Sequence, residues 1–266
     1  MKVHPTAIID SGAEIHETVE IGPYTIIENN VSIDEGSVIL GGGRIESGTR
    51  IGKFNEIRHG CVLGCPPQHL TFDLSLPTKL VIGDHNILRE YVNIHRSTNM
   101  SSPTTIGNYN YIMGTVHLGH DCRIGDYNIF AQGSAIGGHV TFGNYTFTSA
   151  LTGVHQFCRI GDYAILGGLS KVTLDIPPYM MADGNPVELT GLNAIGIRRS
   201  HLPEEEKKAV KNLYKKVFRS GKSFSRAIAE LKEEPRTPAT ALFIKFIEES
   251  ERGIPPYRNI DKERIK

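Results

Sequence analysis

The chain repeats a large apolar residue at every sixth position over most of its length. From Val3 to Leu63 this spacing has no exception, and from Ile106 to Val172 it has one, Thr148. A six-residue period fits neither the 3.6-residue period of an α-helix nor the two-residue alternation of a half-buried strand. It is typical of a triangular solenoid in which each flat face takes one hexad per coil. The pattern therefore predicts a parallel β-helix whose apolar residues fill the interior.

A longer repeat of eighteen residues lies within the hexads. Its four copies are Ile106-Gly107-Asn108-Tyr109, Ile124-Gly125-Asp126-Tyr127, Phe142-Gly143-Asn144-Tyr145 and Ile160-Gly161-Asp162-Tyr163. Three hexads therefore make one coil, and we interpret the glycine as relief for the tight corner where the backbone turns. Breaks in the spacing predict loops near residues 64–81 and 96–103. The remainder makes about nine or ten coils, stacked ~4.8 Å apart.

The repeat ends near residues 175–179, where two prolines remove backbone donors, and helical patterns follow. An apolar stripe from Leu202 to Phe218 stops at Gly221. Ser223 and the pair Thr237-Pro238 are start signals for two further helices, and the last dozen residues are expected to be irregular. The sequence thus predicts a mainly β chain with an α tail: a β-helix domain over residues 1–187 and a helical domain over residues 188–266.

Composition excludes several classes of protein. The 266 residues carry a formal net charge of zero, which gives no general attraction to nucleic acid or to an anionic membrane. The start lacks the apolar core of a signal peptide, and no apolar stretch approaches ~18 residues, so we expect a soluble, cytoplasmic protein. Cys61, Cys65, Cys122 and Cys158 are too few for a disulfide scaffold and lack the spacing of a zinc site, which favours buried thiols.

Candidate chemistry clusters beside four equivalent anchors, Leu118, Ile136, Val154 and Val172. The polar neighbours of these anchors are His117, His120, His139, His155, Gln156 and Lys171. Since adjacent coils are ~4.8 Å apart, all six should share one face or its corners. A histidine base with an unobstructed backbone N–H, such as Gly137-Gly138 offers, is the minimum for acyl transfer. A polar ladder that packs against a neighbouring molecule explains the spacing equally well.

Asp121 is a candidate to orient the ring of His120 or to stabilise its protonated form. Adjacent side chains on a strand point to opposite faces, so this role requires a corner between the two residues.

Three ordered motifs carry a resemblance to a known family. They are His117-Leu118-Gly119-His120-Asp121-Cys122, Gly137-Gly138-His139-Val140 and Val154-His155-Gln156-Phe157-Cys158, followed by Asp175-Ile176-Pro177-Pro178-Tyr179 and Gly184-Asn185-Pro186. With them the sequence resembles the UDP-N-acetylglucosamine O-acyltransferases, which catalyse the first step of lipid A synthesis. The resemblance covers essentially the whole chain, whereas the hexads alone would indicate only the broad superfamily.

The resemblance implies a left-handed β-helix, against the usual right-handed crossover, and a homotrimer with active sites between neighbouring prisms. The implied reaction moves a 3-hydroxyacyl chain from acyl carrier protein to the 3-position of the UDP-sugar. It needs neither a metal nor a bound cofactor, because the thioester supplies the activated acyl group.

The resemblance also implies roles for individual residues. His120 matches the general base and Gly138 the backbone oxyanion donor. Contacts to the sugar, diphosphate or acyl donor match Gln68, His117, His139, His155 and Gln156, nucleotide-side contacts match Asn193 and Arg199, and Gly168 lies where the family measures acyl length. Arg198 and Arg199, with Lys207, Lys208, Lys211, Lys215 and Lys216, could receive the acidic carrier protein, although a solvated helix face explains the lysines as well.

Three positions depart from the family pattern. His69 stands where the family usually has an Asp near the sugar, Ile195 where a Glu is common, and Lys171 where a small residue is common. Losing an acceptor-only carboxylate changes the hydrogen-bond pattern that is read at the sugar. The 3-amino analogue of the sugar therefore stays open as the acceptor, and Lys171 could narrow or cap the tunnel for the acyl chain.

Two readings from other classes stay open. One is a zinc lyase of the γ-carbonic-anhydrase type, since such prisms also place three histidines at a subunit boundary and zinc can be held by three histidines. The other is a trimeric scaffold without catalysis. The zinc-lyase reading leaves the helical tail and the ordered motifs unexplained, and the scaffold reading predicts no turnover with any acyl-carrier thioester. Serine and maltose acetyltransferases share the hexads without these motifs.

Overall fold

The structure is a computed structural model, and it describes residues 1–258. In chain order the strands are β1 Lys2–Val3, β2 Ile8–Ile9, β3 Glu14–Ile15, β4 Glu20–Ile21, β5 Ile26–Ile27, β6 Ser32–Ile33, β7 Val38–Ile39, β8 Arg44–Ile45, β9 Thr49–Ile51, β10 Glu56–Ile57, β11 Val62–Cys65, β12 Leu80–Ile82, β13 Ile87–Leu88, β14 Asn93–His95, β15 Thr104–Ile106, β16 Tyr111–Ile112, β17 His117–Leu118, β18 Arg123–Ile124, β19 Ile129–Phe130, β20 Ala135–Ile136, β21 Thr141–Phe142, β22 Phe147–Thr148, β23 Gly153–Val154, β24 Arg159–Ile160, β25 Ile165–Leu166, β26 Lys171–Val172, β27 Met180–Asp183 and β28 Glu188–Leu192. The helices are α1 Ala194–Arg199, α2 Glu204–Phe218, α3 Phe224–Lys232 and α4 Pro238–Glu248.

Every third strand belongs to the same sheet, so the chain winds round a three-sided prism. The first face runs β1, β4, β7 and so on to β25, and ends with β27 and β28. The second face holds β2 to β26 and the third face β3 to β24, again at every third strand. From Ile21 onward the sixth-position anchors are buried in the interior, including Thr148, whereas Ile9 and Ile15 in the first coils are half-buried and Val3 is exposed. The predicted parallel β-helix is confirmed, and its coils wind left-handed.

Both predicted loops are confirmed. The first lies between the end of β11 at Cys65 and the start of β12 at Leu80, and the second lies between the end of β14 at His95 and the start of β15 at Thr104. Each lengthens its coil without breaking the stack. Asn93 in β14 therefore pairs with His117 in β17, across 24 residues instead of eighteen.

The repeated glycine does not relieve the tight corner, so this interpretation of the sequence was wrong. Gly125 does not carry the left-handed backbone of the corner; Tyr127, two residues later, carries it with φ 58°. The glycine is required for space, because a Cβ on Gly125 would lie 2.5 Å from the carbonyl oxygen of Gly143. The tyrosine rings stack along the corner, with Tyr127 and Tyr145 4.8 Å apart and 2° from parallel, which helps offset the cost of the turn.

Beyond the end of the hexads near residues 175–179 the first face continues, because β27 still pairs in parallel with β25 and then forms an antiparallel hairpin with β28. This hairpin covers the edge that an open coil would expose. The division into two domains at residue 187 stays a prediction. Of the last dozen residues, Tyr257 forms a bridge to Leu189, and residues 259–266 lie outside the described part of the chain.

The three predicted helices are confirmed as α2, α3 and α4. Thr237 caps α4 by accepting from the backbone of Thr240, with Pro238 at the first position, whereas Ser223 is the N-cap of α3 but makes no capping bond through its side chain. The short α1 was not predicted, because six residues are too few to reveal a period. None of the helices in residues 1–258 has the length and apolarity to cross a membrane.

All four cysteines are free, and Cys61, Cys122 and Cys158 are buried, as predicted. Burial raises the pKa of the Cys61 thiol to about 11.

Candidate active site

The turns from the second face to the third face bring the predicted chemistry together, and we call this edge the histidine corner. Asp121, His139 and Phe157 occupy the same position in successive turns, with φ of 59°, 60° and 66°. The left-handed residue breaks the alternation of the strand, so neighbouring side chains no longer point to opposite faces. A corner therefore lies between His120 and Asp121, as the role of Asp121 in orienting the ring requires.

His120 and Asp121 form a hydrogen-bonded pair. The Nδ1 atom of His120 lies 2.7 Å from Oδ2 of Asp121, and the Asp121 side chain is only 7% exposed. Because a carboxylate can only accept, Nδ1 carries the proton, which leaves Nε2 with a free lone pair. This is the tautomer that a general base requires.

His139 lies behind this pair. Its Nε2 is 3.5 Å from Oδ2 of Asp121, and its ring meets the ring of His120 edge-on at 5.1 Å. Phe157 stacks on the other side of His139 at 4.6 Å. Burial lowers the pKa of His139, and the carboxylate of Asp121 partly opposes this effect. Phe157 thus completes an aromatic wall at the histidine corner.

Gly138 lies directly against the ring of His120. A Cβ at Gly138 would lie 2.6 Å from Cε1 and 2.8 Å from Nε2 of His120, closer than real Cβ contacts come. Within residues 1–258 the backbone N–H of Gly138 has no protein acceptor. The site therefore combines a basic nitrogen and a free backbone donor side by side.

A cavity of about 550 Å³ opens in front of this pair along the second face. Its walls include eight polar or glycine positions, namely Gln68, His95, His117, His120, Gly138, His155, Gln156 and Lys171. The floor between them is made by small residues, Ala135 and Gly153. The structure therefore brings seven of the residues singled out from the sequence to one cavity.

His117 is held as a neutral ring. Its Nδ1 lies 3.1 Å from Oδ1 of Asn93, and its ring meets the ring of His95 edge-on at 4.9 Å. Burial, followed by the nearby rings of His95 and His120, lowers the pKa of His117 to about 4. At neutral pH it can hydrogen-bond to a ligand but does not contribute charge.

His95 was missed from the sequence. Its Nδ1 lies 2.6 Å from the carbonyl oxygen of Pro66, and its buried Nε2 has no partner within residues 1–258. Burial lowers its pKa, so it offers an uncharged ring to the cavity. Counting in steps of eighteen residues could not find His95, because its coil contains the second loop. The signal that would have found it is the 24-residue step that pairs Asn93 with His117.

The other predicted residues do not line this cavity. His69 is exposed on the first loop, with Nδ1 3.2 Å from Oγ1 of Thr71, and Gly168 lies on the turn from the first face to the second. Asn193 is buried: it caps α1 by accepting from Gly196, and its amide nitrogen donates to the carbonyl oxygen of Tyr163 at 2.8 Å. This bond ties α1, with Arg198 and Arg199 in its last turn, to the corner between the third and first faces, away from the histidine corner.

Three groups at the histidine corner have the spacing of metal ligands. Atoms of His120, Asp121 and His139 lie within 4.8 Å of one another. The carboxylate of Asp121, however, already accepts from His120 and from both donors of Thr98. The set also differs from the three histidines of the zinc-lyase reading. A hydrogen-bonded acid–base pair accounts for this arrangement better than a metal site does.

Comparisons with known proteins point to one family. A family model described as UDP N-acetylglucosamine O-acyltransferase, domain 2, matches residues 175–255, and a bacterial transferase hexapeptide model matches residues 103–138. The chain is 42% identical over 257 residues to the acyl-[acyl-carrier-protein]–UDP-N-acetylglucosamine O-acyltransferase of Syntrophobacter fumaroxidans, covering 96% of this chain and 99% of the relative.

Solved structures give the same picture. The UDP-N-acetylglucosamine acyltransferase of Francisella novicida superposes with a TM-score of 0.92 at 34% identity, covering 98% of this chain and 96% of that one. The UDP-N-acetylglucosamine O-acyltransferase of Moraxella catarrhalis superposes with a TM-score of 0.86 at 39% identity, covering 96% and 99%.

Proposed function

Because the chain belongs to the family of UDP-N-acetylglucosamine O-acyltransferases, we propose that His120 and Gly138 carry out acyl transfer from acyl carrier protein to the 3-position of UDP-N-acetylglucosamine. The observation that carries the mechanism is the contact between the His120 ring and Gly138, with Asp121 behind the ring and one cavity in front. Family membership places the reaction in lipid A synthesis. The predicted cytoplasmic location stays a prediction.

The geometry supports a direct transfer. Nε2 of His120 takes the proton from the 3-hydroxyl as the sugar oxygen attacks the thioester carbonyl. The negative charge that develops on the carbonyl oxygen is stabilised by the N–H of Gly138. When the tetrahedral intermediate collapses, the C–S bond breaks and the proton on His120 passes to the leaving sulfur. The thioester supplies the activation, so the proposed step is complete without a cofactor.

The polarity of the outward residues on the first and third faces supports the predicted homotrimer. The outward row of the first face is apolar along six coils: Ile87, Tyr111, Ile129, Phe147, Ile165 and Met181. The outward row of the third face is instead polar, with Thr105, Arg123, Thr141 and Arg159. A first face packed on the second face of a neighbour buries the apolar row, and repeating this contact about a threefold axis closes a ring.

This packing also explains why Asn193 and Arg199, the two predicted nucleotide contacts, lie far from His120 within one chain. The corner that holds α1 of one chain then meets the histidine corner of the next, which brings Asn193 and Arg199 beside the neighbour's cavity. The basic helix face is less free than the sequence suggested, since Lys207 pairs with Glu204 and Lys216 with Glu234. Docking of the carrier protein on Arg198 and the remaining lysines stays a prediction.

The decisive experiment offers the purified protein both UDP-N-acetylglucosamine and its 3-amino analogue, with a mixed pool of acylated carrier proteins. We expect an ester of UDP-N-acetylglucosamine, identified by mass, from a protein that sediments as three chains of 29.3 kDa. An amide of the analogue alone would correct the acceptor to the 3-amino sugar. No product from any thioester, in either acceptor, would favour the scaffold reading.

Lys171 should limit the length of the acyl chain. His117, Ala135, Gly153 and Lys171 follow one another along the outward row of the second face. A Cβ on Gly153 would meet nothing within 4 Å, so the cavity is open beside Gly153. The next large side chain along the row is that of Lys171. Lys171 lies two coils beyond Gly138, about 10 Å, which an extended chain spans in about eight bonds at about 1.2 Å each. We therefore expect products with about ten carbons.

In the same assay, Lys171→Gly should increase the share of chains of twelve or more carbons by about tenfold, which corresponds to the ~1.4 kcal/mol of a modest steric and desolvation cost. Lys171→Met keeps the bulk and removes the charge, so it separates the two causes. An unchanged length distribution in Lys171→Gly would show that the chain does not follow this row.

A further inference from the structure

The second loop contains Thr98, a residue that has no role in the reaction described above. The backbone N–H of Thr98 donates to both carboxylate oxygens of Asp121, at 3.0 Å and 3.2 Å. The hydroxyl of Thr98 donates to Oδ2 at 2.8 Å. This Oδ2 is the oxygen that accepts from His120 at 2.7 Å. Thr98 and His120 therefore hold the same oxygen from two sides.

Asp121 has little freedom to turn within this arrangement. Its backbone N–H donates to Oγ1 of Thr104 at 2.8 Å, and its side chain is only 7% exposed. Two donors from one residue fix the plane of the carboxylate as well as its position. The direction from Oδ2 to His120 is thus set by the loop and not by solvent.

The loop itself is rigidly built. The side-chain oxygen of Asn99 accepts from the backbone N–H of Ser101 and of Ser102, both at 3.1 Å, and from the Ser101 hydroxyl at 2.9 Å. Ser97 is fully buried, and its N–H donates to the carbonyl oxygen of Lys79 at 3.2 Å. Thr98 lies between these two anchored residues, so its donors are presented at a fixed place.

We propose that Thr98 is a positioning residue for acyl transfer: it orients Asp121 so that His120 keeps its proton on Nδ1 and faces the cavity with Nε2. The extra six residues of this coil then have a role in the site, because the loop that they form carries Thr98 to Asp121. The inference rests on the proposed function of His120. It differs from a merely structural role, in which Thr98 would use Asp121 only to tie down the loop.

Thr98→Val tests the proposal, since it removes the hydroxyl but keeps the shape and the backbone N–H. We expect kcat to fall about 10-fold to 100-fold, the size of effect expected when a hydrogen bond to a charged group is lost. KM should change by less than about twofold, because Thr98 is not among the residues that line the cavity. Thr98→Ser restores the hydroxyl and should recover most of kcat. Thr105→Val, the same chemical change on the outward row of the third face, serves as the control.

A second measurement separates this proposal from the proposed function. In protein labelled with ¹⁵N-histidine, His120 should give the Nδ1-protonated signature, and Thr98→Val should convert part of it to the Nε2-protonated form. This readout needs no turnover, so it holds even if the substrates were assigned wrongly. An unchanged His120 signature in Thr98→Val would overturn the proposal. So would equal losses of kcat in Thr98→Val, Thr98→Ser and Thr105→Val.

Discussion

Replacing His120 with alanine should lower kcat by about 10²-fold to 10⁴-fold, the range that a positioned general base contributes. Without the imidazole, no other group in residues 1–258 lies hydrogen-bonded to Asp121 with a free nitrogen beside Gly138. His139 is close, but its Nε2 faces Asp121 at 3.5 Å, so it cannot replace the missing base without turning. The measurement is steady-state turnover with the carrier thioester and acceptor identified in the product assay.

The loss must be separated from unfolding. His120 belongs to the cavity wall and not to the buried core, so the thermal midpoint and the assembled mass should stay close to those of the unchanged protein. His16→Ala is the matched control, because His16 is an exposed histidine of an early coil whose ring contacts Thr18. Near-normal turnover in His120→Ala would show that His120 is not the general base.

Periodicity alone predicted most of the fold, because each coil must place an apolar side chain in the interior. The same arithmetic predicted that His120, His139 and His155 share one face or its corners. It failed where the coil length changes. His95 and Thr98 lie at and after the end of β14, in the coil that carries the second loop, so counting by eighteen residues passes over both.

Other features depend on backbone angles that a residue pattern does not show. Asp121 could be assigned to His120 only once its φ of 59° placed a corner between the two side chains. Asn193 shows the opposite case. Its family resemblance implies a nucleotide contact, whereas in the single chain both ends of its amide are engaged within the protein, at Gly196 and Tyr163. Each end of the amide keeps one further donor or acceptor, but Asn193 is buried, so we expect its exposed neighbours on α1 to provide most of any contact to substrate in an adjacent subunit.

Gly138→Ala should be almost as damaging as the loss of the base. The new Cβ would lie 2.6 Å from Cε1, 2.8 Å from Nε2 and 3.0 Å from Nδ1 of His120, so the ring has to move. A misplacement of about 1 Å costs on the order of 10²-fold in rate. Gly138 does not have a positive φ, so alanine fits its backbone and the coil should remain folded. Gly191→Ala is the control, since a Cβ there meets nothing within 4 Å.

A double-mutant cycle then tells which part of the site the new methyl group damages. If the methyl group acts by displacing the ring, adding Gly138→Ala to His120→Ala should cost little more, because the ring is already gone. If it acts by turning the Gly138 N–H away from the oxyanion, the second change should cost a further 10²-fold to 10³-fold, the usual effect of losing one oxyanion donor. The distances predict the first result for most of the loss. Full additivity would instead show that the N–H of Gly138 works independently of the ring it touches.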